Sequence, residues 1–130
     1  MDDITRIRYL RVALLLIGLL FVFGLEAMMV LSPEGWVWEP RHYAAEQRIM
    51  GIYFVLGIFL LIASRDPKAH RSLVQFTFWS SLAHGGIMLA QAASDPVYTG
   101  HFFGDVPAML LVAAVLGVLM PKRWEDQLGD

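Results

Sequence analysis

The sequence predicts an all-α integral membrane protein, an antiparallel four-helix bundle with both termini on the cytoplasmic side. Three observations predict it. Of the 130 residues, 57% are hydrophobic and only 17% are charged, whereas a soluble domain carries roughly a quarter charged residues. The apolar residues are gathered into long runs with short polar connections, at a mean hydropathy of +0.55, which is the pattern of membrane spans and not of a soluble core. The basic residues fall almost entirely on one side of those runs. A net charge of -2 gives no footprint for nucleic acid, and the absence of Cys excludes disulfides, thiolate nucleophiles and thiolate metal sites.

Residues 1–8, MDDITRIR, form a short polar head, followed by the first span over residues 9–31. A secretory signal peptide is the rival reading of this segment; the run is too long for one and no small-x-small cleavage site follows. Residues 32–45, SPEGWVWEPRHYAA, are rich in Pro, Gly and charge and read as a loop, with Trp36, Trp38 and Tyr43 suited to a membrane–water interface. The second span covers residues 46–64. In the basic turn RDPKAHR, Asp66 reads as a cap and Pro67 as the first helical residue.

The third span, residues 72–93, carries the most information. Thr77, Ser81, His84, Met88 and Gln91 recur at steps of four and three, which stacks them in one stripe. Phe76, Phe78, Trp79, Leu82 and Leu89 cover much of the rest. Hydrocarbon cannot satisfy a polar stripe, so it must face protein or trapped water, and the other helices are expected to gather around it. Ser80 and Ser81 flank His84 but are expected to bond back to helix carbonyls, so no nucleophile is identified. A second loop, SDPVYTGHFFG, with Asp95-Pro96 as its turn signal, precedes a short fourth span over residues 105–120. Pro121 ends that span ahead of a polar tail.

Arg6, Arg8, Arg11, Arg65, Lys68, Arg71, Lys122 and Arg123 share one side, against Arg41 and Arg48 on the other. The positive-inside bias places both termini in the cytoplasm. Ser81/Gly85 and Ala113/Gly117 read as small-residue pairs for close helix contact, with Gly18, Gly24, Gly51, Gly57 and Gly86 as further notches.

With that topology, the ionisable groups gather in the outer half, as a polar cup open outward. His84 lies near mid-span, Glu26 about 9 Å outward of the first span's middle, and Glu46, Arg48, His101 and Asp105 at the outer helix starts. Each has an ordinary explanation. His84 can be a neutral imidazole bonded within the fold, Glu26 can pair with Arg48 or Arg41, and Glu46 can complement a helix dipole. Asp105, two residues before Pro107, reads as a helix cap, and His101 and His42 as interfacial residues. The sharper readings combine them. His84 with Glu26, Glu46 or Asp105 could do acid–base chemistry on a lipid-like substrate. His84, His101 and Asp105 could contribute to a metal site, although the Glu-x-x-His pairs of di-iron bundles are absent. A bis-His haem on His84 and His101 is disfavoured by their difference in depth.

Residues 46–121 also resemble an uncharacterised family of short bacterial four-helix membrane proteins. The residues that carry the resemblance are the Arg65-Asp66-Pro67 turn, Ser81 with His84, and Gly104-Asp105 with Pro107. The architecture is broadly similar to that of DoxX-type membrane proteins. The resemblance implies a four-helix protein of the cytoplasmic (inner) membrane of a bacterium, and it carries no activity or cofactor. Two functions are therefore expected. The first is an accessory subunit or hydrophobic small-ligand binding module, whose partners are the lipid bilayer, other membrane chains or itself, and a lipid-like ligand. The second is an acid–base isomerase- or cyclase-type enzyme on an isoprenoid, sterol or quinone-like substrate. An apolar cytoplasmic half argues against ion passage.

Overall fold

The computed structural model describes residues 1–124, and residues 125–130 of the expected polar tail lie outside them. Among the described residues every regular element is helical. The first rod is α1 (Asp3–Leu19), a π-helical turn (Leu20–Gly24) and α2 (Leu25–Leu31) in direct succession. It begins six residues earlier than expected because Asp2 accepts a hydrogen bond from the Thr5 N–H at 2.8 Å and caps the helix. The cap also holds the Asp2 carboxyl below its ordinary pKa, through its bonds to Thr5. The π turn retards the helix's rotation, so Ile17, Phe21, Leu25 and Met29 stay on one face at steps of four.

A short helix, α3 (Pro33–Trp36), interrupts the loop expected over 32–45. Next come α4 (Tyr43–Ala63), a 3-10 turn (Pro67–His70) and α5 (Arg71–Ser94). A second 3-10 segment (Pro96–Phe103) leads into α6 (Asp105–Leu119). The two Asp-Pro turns follow the sequence reading. Asp66 accepts from Ala69 N–H at 3.4 Å and Asp95 from Val97 N–H at 3.0 Å.

Among the described residues two helices are long and apolar enough to cross a membrane: Asp3–Leu31, with mean hydropathy 2.6, and Tyr43–Ala63, with 1.6. The 3-10 segment and α6, bent by 43° between them, make a third if taken as one span. The sequence reading expected four. Helix α5 has 24 residues but does not pass the same hydropathy criterion, because its polar stripe dilutes its apolar content. Helix α6 alone has 15 residues, roughly 22 Å at helical rise, against a hydrocarbon core of about 30 Å.

Helix α5 packs mainly on α6, and α4 mainly on α1 and the π turn, while α4 and α5 touch only thinly. Backbone approach decides the α1/α4 contact: a Cβ at Gly18 would sit 2.9 Å from the Gly57 carbonyl oxygen, and one at Gly57 would meet Gly18 likewise. At the α5/α6 contact, Gly85 receives Leu110 and Gly117 receives Phe78. Gly51 and Gly86, read as notches, have open space beside them instead. The stripe on α5 turns inward, with Thr77, Ser81 and Met88 buried and His84 half-buried, while Phe76, Trp79, Leu82 and Leu89 are exposed. The end carrying the termini is a closed apolar core around Leu10, Leu14, Leu60, Val74 and Leu116, each fully buried. Arg6 ties α1 to the Val118 carbonyl there.

Candidate functional site

The end carrying the two longer loops is built differently. Asp105 opens α6, but it does not cap it; Gly104 holds the cap position. The Asp105 carboxyl points inward instead. Oδ2 accepts from Trp38 Nε1 at 2.7 Å, and Oδ1 bonds His101 Nδ1 at 2.9 Å. The Trp38 indole stacks on the His101 ring, with centroids 3.9 Å apart and planes at 20°. His101, expected at the interface, is only 2% exposed. The His-x3-Asp spacing does bring these two side chains together, since the 3-10 segment delivers His101 one turn before the helix starts.

The same pairing ties the loop at 32–42 to the segment at 95–105. Tyr98 Oη donates to the Glu39 carbonyl at 2.7 Å. Backbone meets backbone below it, since a Cβ on Gly104 would lie 2.2 Å from the Gly35 carbonyl oxygen. Only glycine permits that approach. Trp36 and Trp38 are therefore drawn partly inward and do not simply float at an interface; the Trp38 N–H finds in Asp105 the acceptor that a buried indole needs.

Beneath this roof, between α4 and α5, lies a cavity of about 300 Å³. Four methionines line it, one from each surrounding helix: Met29 of α2, Met50 of α4, Met88 of α5 and Met109 of α6. His84 lines it too, and its Nδ1 is hydrogen-bonded to the Tyr53 hydroxyl from α4. Tyr53 is held by Phe21, edge-on at 5.0 Å, and its hydroxyl lies 4.0 Å from Met109 Sδ. Glu46 sits at the rim, with both carboxyl oxygens taken by Arg41, at 3.0 and 2.8 Å. Arg41 in turn lies over the Tyr43 ring at 4.4 Å.

Of the sequence-derived candidates, His84, Glu46 and Asp105 therefore line one cavity. Glu26 does not: it is exposed and outside the lining, although Leu25 and Met29 of the same helix are in it, and Arg41, one of its expected partners, bonds Glu46 instead. The partner of His84 is a phenol and not a carboxylate. His101 is turned away from His84 into the Trp38/Asp105 cluster, so the set His84, His101 and Asp105 does not converge. Among the described residues no group of three His, Cys, Asp or Glu side chains is placed to hold a metal ion.

Tyr53 and Met50 were missed from sequence. The signal was present, because Ala45, Ile49, Tyr53 and Leu56 share a helical face at steps of four and three. A tyrosine inside an apolar run is easily read as filler. Ser80 and Thr77 bond back to carbonyls, Ser80 to Thr77 at 3.3 Å and Thr77 to Leu73 at 2.8 Å, as such residues do in helices. They offer no nucleophile.

No curated protein and no solved structure matches the chain. A family pattern does match, over residues 4–125, which is nearly all of the described chain. The protein belongs to the DUF6632 family, a family of unknown function.

Proposed function

We propose that the protein is a membrane-embedded binding module for a small hydrophobic ligand, held in the cavity between α4 and α5. One observation carries this reading. Four methionines from four helices and a hydrogen-bonded tyrosine–histidine pair surround a single space of about 300 Å³. Small-molecule sites are mostly apolar, with a few placed polar groups, and start at about this size. Methionine suits such walls, because its thioether is polarizable and adapts to a ligand's outline.

In this reading the first rod, α4, α5 and the bent 3-10/α6 pair form a four-helix bundle in the cytoplasmic (inner) membrane of a bacterium. Both termini face the cytoplasm and the roofed end faces outward, in keeping with the basic bias of the head, the Arg65–Arg71 turn and Lys122–Arg123. The enzymatic alternative finds support in one feature, a phenol bonded to an imidazole inside a cavity, which is a proton-transfer arrangement. It lacks a carboxyl group bonded to that imidazole.

The test is native mass spectrometry of the protein released gently from its own membrane. A single protomer carrying a lipid-like adduct, lost in His84→Ala, is the expected result. A bare protomer, or one whose only added mass is another protein chain, would overturn the binding reading, the latter in favour of an accessory-subunit role.

A further inference from the structure

We infer that the occupant of the cavity is a neutral, membrane-dissolved ring compound bearing a carbonyl oxygen, and that it enters sideways from the bilayer between α4 and α5. This rests on the binding reading above and narrows it.

Charge is the first constraint. Both oxygens of Asp105 are engaged by Trp38 and His101, and both oxygens of Glu46 by Arg41. No Lys or Arg lines the cavity. His42 also lines the cavity but is exposed at its loop-side edge, so a charged occupant beside Tyr53 and His84 would lose its hydration without gaining a counter-charge there, which is strongly unfavourable in an apolar site.

The second constraint is proton counting at the Tyr53–His84 pair. A neutral imidazole carries one N–H and the phenol one O–H. If Tyr53 donates to Nδ1, the hydrogen left over is on His84 Nε2. If Nδ1 donates to the Tyr53 oxygen, the hydrogen left over is the phenol's own. Either tautomer leaves one donor as well as one acceptor, and on the Tyr53 side that donor meets the weak acceptor Met109 Sδ at 4.0 Å, so the donor is the group still in want of a strong partner. The complementary ligand group is an acceptor oxygen. Four thioethers and the Trp36 and Trp38 indoles make the walls, and sulfur and indole both favour contact with flat rings.

The third constraint is the opening. The roof is fastened through Trp38, Asp105, His101 and Tyr98, and by the Gly35/Gly104 backbone contact. The side is not fastened, since α4 and α5 touch only thinly there. Pro40, His42, Ile49 and Gln91 line the cavity yet are exposed; of these, Ile49 on α4 and Gln91 on α5 mark its opening between the two helices. Ile52, 69% exposed, and Ile87, 59% exposed, lie within one turn of them on the same two helices. A mouth flanked by apolar side chains opens to hydrocarbon.

The experiment uses the full chain in nanodiscs with Trp79→Phe and Trp124→Phe, so that Trp36 and Trp38 report. Menadione, a neutral ring carbonyl compound that quenches indole fluorescence, is titrated alone, and then against methylnaphthalene or the sulfonated anion of menadione as competitors. Saturable quenching by menadione is expected. Methylnaphthalene, which lacks the acceptor, should compete about tenfold more weakly, the worth of one well-made buried hydrogen bond. The sulfonated anion should not compete. In Tyr53→Phe/His84→Leu the advantage of menadione over methylnaphthalene should vanish.

Equal competition by methylnaphthalene in the unmodified cavity would overturn the carbonyl assignment, and that comparison does not depend on the double variant folding. Effective competition by the anion would overturn the neutral, bilayer-side route. If menadione fails to saturate while a native lipid-like adduct is still lost in His84→Ala, the ligand class is wrong and the binding module stands. If neither is seen, both fall.

Discussion

Replacing Asp105 with alanine tests the construction of the roof. The carboxyl group accepts Trp38 Nε1 at 2.7 Å and holds His101 Nδ1 at 2.9 Å, and His101 is only 2% exposed. Asp105→Ala therefore leaves two donors with no acceptor and little access to water. Each buried orphan costs about 1–3 kcal/mol. The expected loss is about 3–5 kcal/mol, the range found when one member of a buried charged or strongly bonded pair is removed. Trp38→Phe removes only one donor and keeps an aromatic ring over His101, so it should cost about 1–2 kcal/mol. Because both variants break the same bond, their effects should not add; a coupling of about 1–2 kcal/mol is expected. The assay is reversible unfolding in mixed micelles, followed by far-ultraviolet circular dichroism so that loss of an indole does not alter the signal. A loss below about 1 kcal/mol for Asp105→Ala, or strict additivity of the pair, would refute the claim that this carboxyl pins the two loops together.

Four further outcomes are expected. Gly57→Ala should destabilise by about 1–3 kcal/mol through overpacking, since its Cβ would lie 2.8 Å from Val22 Cγ2 and 2.9 Å from the Gly18 carbonyl. Gly51→Ala, with nothing within 4 Å, should be neutral or gain about 0.5–1 kcal/mol; the same unfolding assay separates them. Gly104→Ala cannot keep its contact with the Gly35 carbonyl, and should shift Trp38 emission to the red as the roof lifts. Finally, the first turn of α1 should loosen in acid. The Asp2 carboxyl is held below the ordinary aspartate range by its hydrogen bonds to Thr5; its cap is thus fully effective above that ordinary range and is lost as pH falls through the lower folded value. Amide exchange of residues 3–6 across that window reads it, and Asp2→Asn, which caps without titrating, should flatten the dependence.

Much of the helical plan was legible because it depends on local chemistry. The apolar runs, the Asp66-Pro67 and Asp95-Pro96 turns and the inward stripe on α5 all follow from neighbours within one or two turns. The same local reasoning went astray at Asp105. An Asp just before a Pro reads as a cap, but a carboxyl group goes to the strongest donors within reach, and here those are Trp38, 67 positions away, and His101. Glu26 failed for a similar reason: depth along a helix can be counted from sequence, whereas the direction it faces depends on where its neighbours pack.

The sequence by itself determined an apolar, helical chain, the faces on which its polar residues stack, and His84 as a group that would have to turn away from any surrounding lipid. Those follow from helical periodicity and from the inability of hydrocarbon to satisfy polar groups. The tertiary structure alone decided that α4 packs on α1 and not closely on α5, which leaves the seam that becomes the cavity. It also decided that Tyr53 meets His84, and that the two acids lining the cavity are already spoken for by Arg41, Trp38 and His101. No spacing rule encodes such pairings. They arise when glycines at 18 and 57, and at 35 and 104, let particular backbones approach, and side chains far apart in the chain then compete for the same few partners.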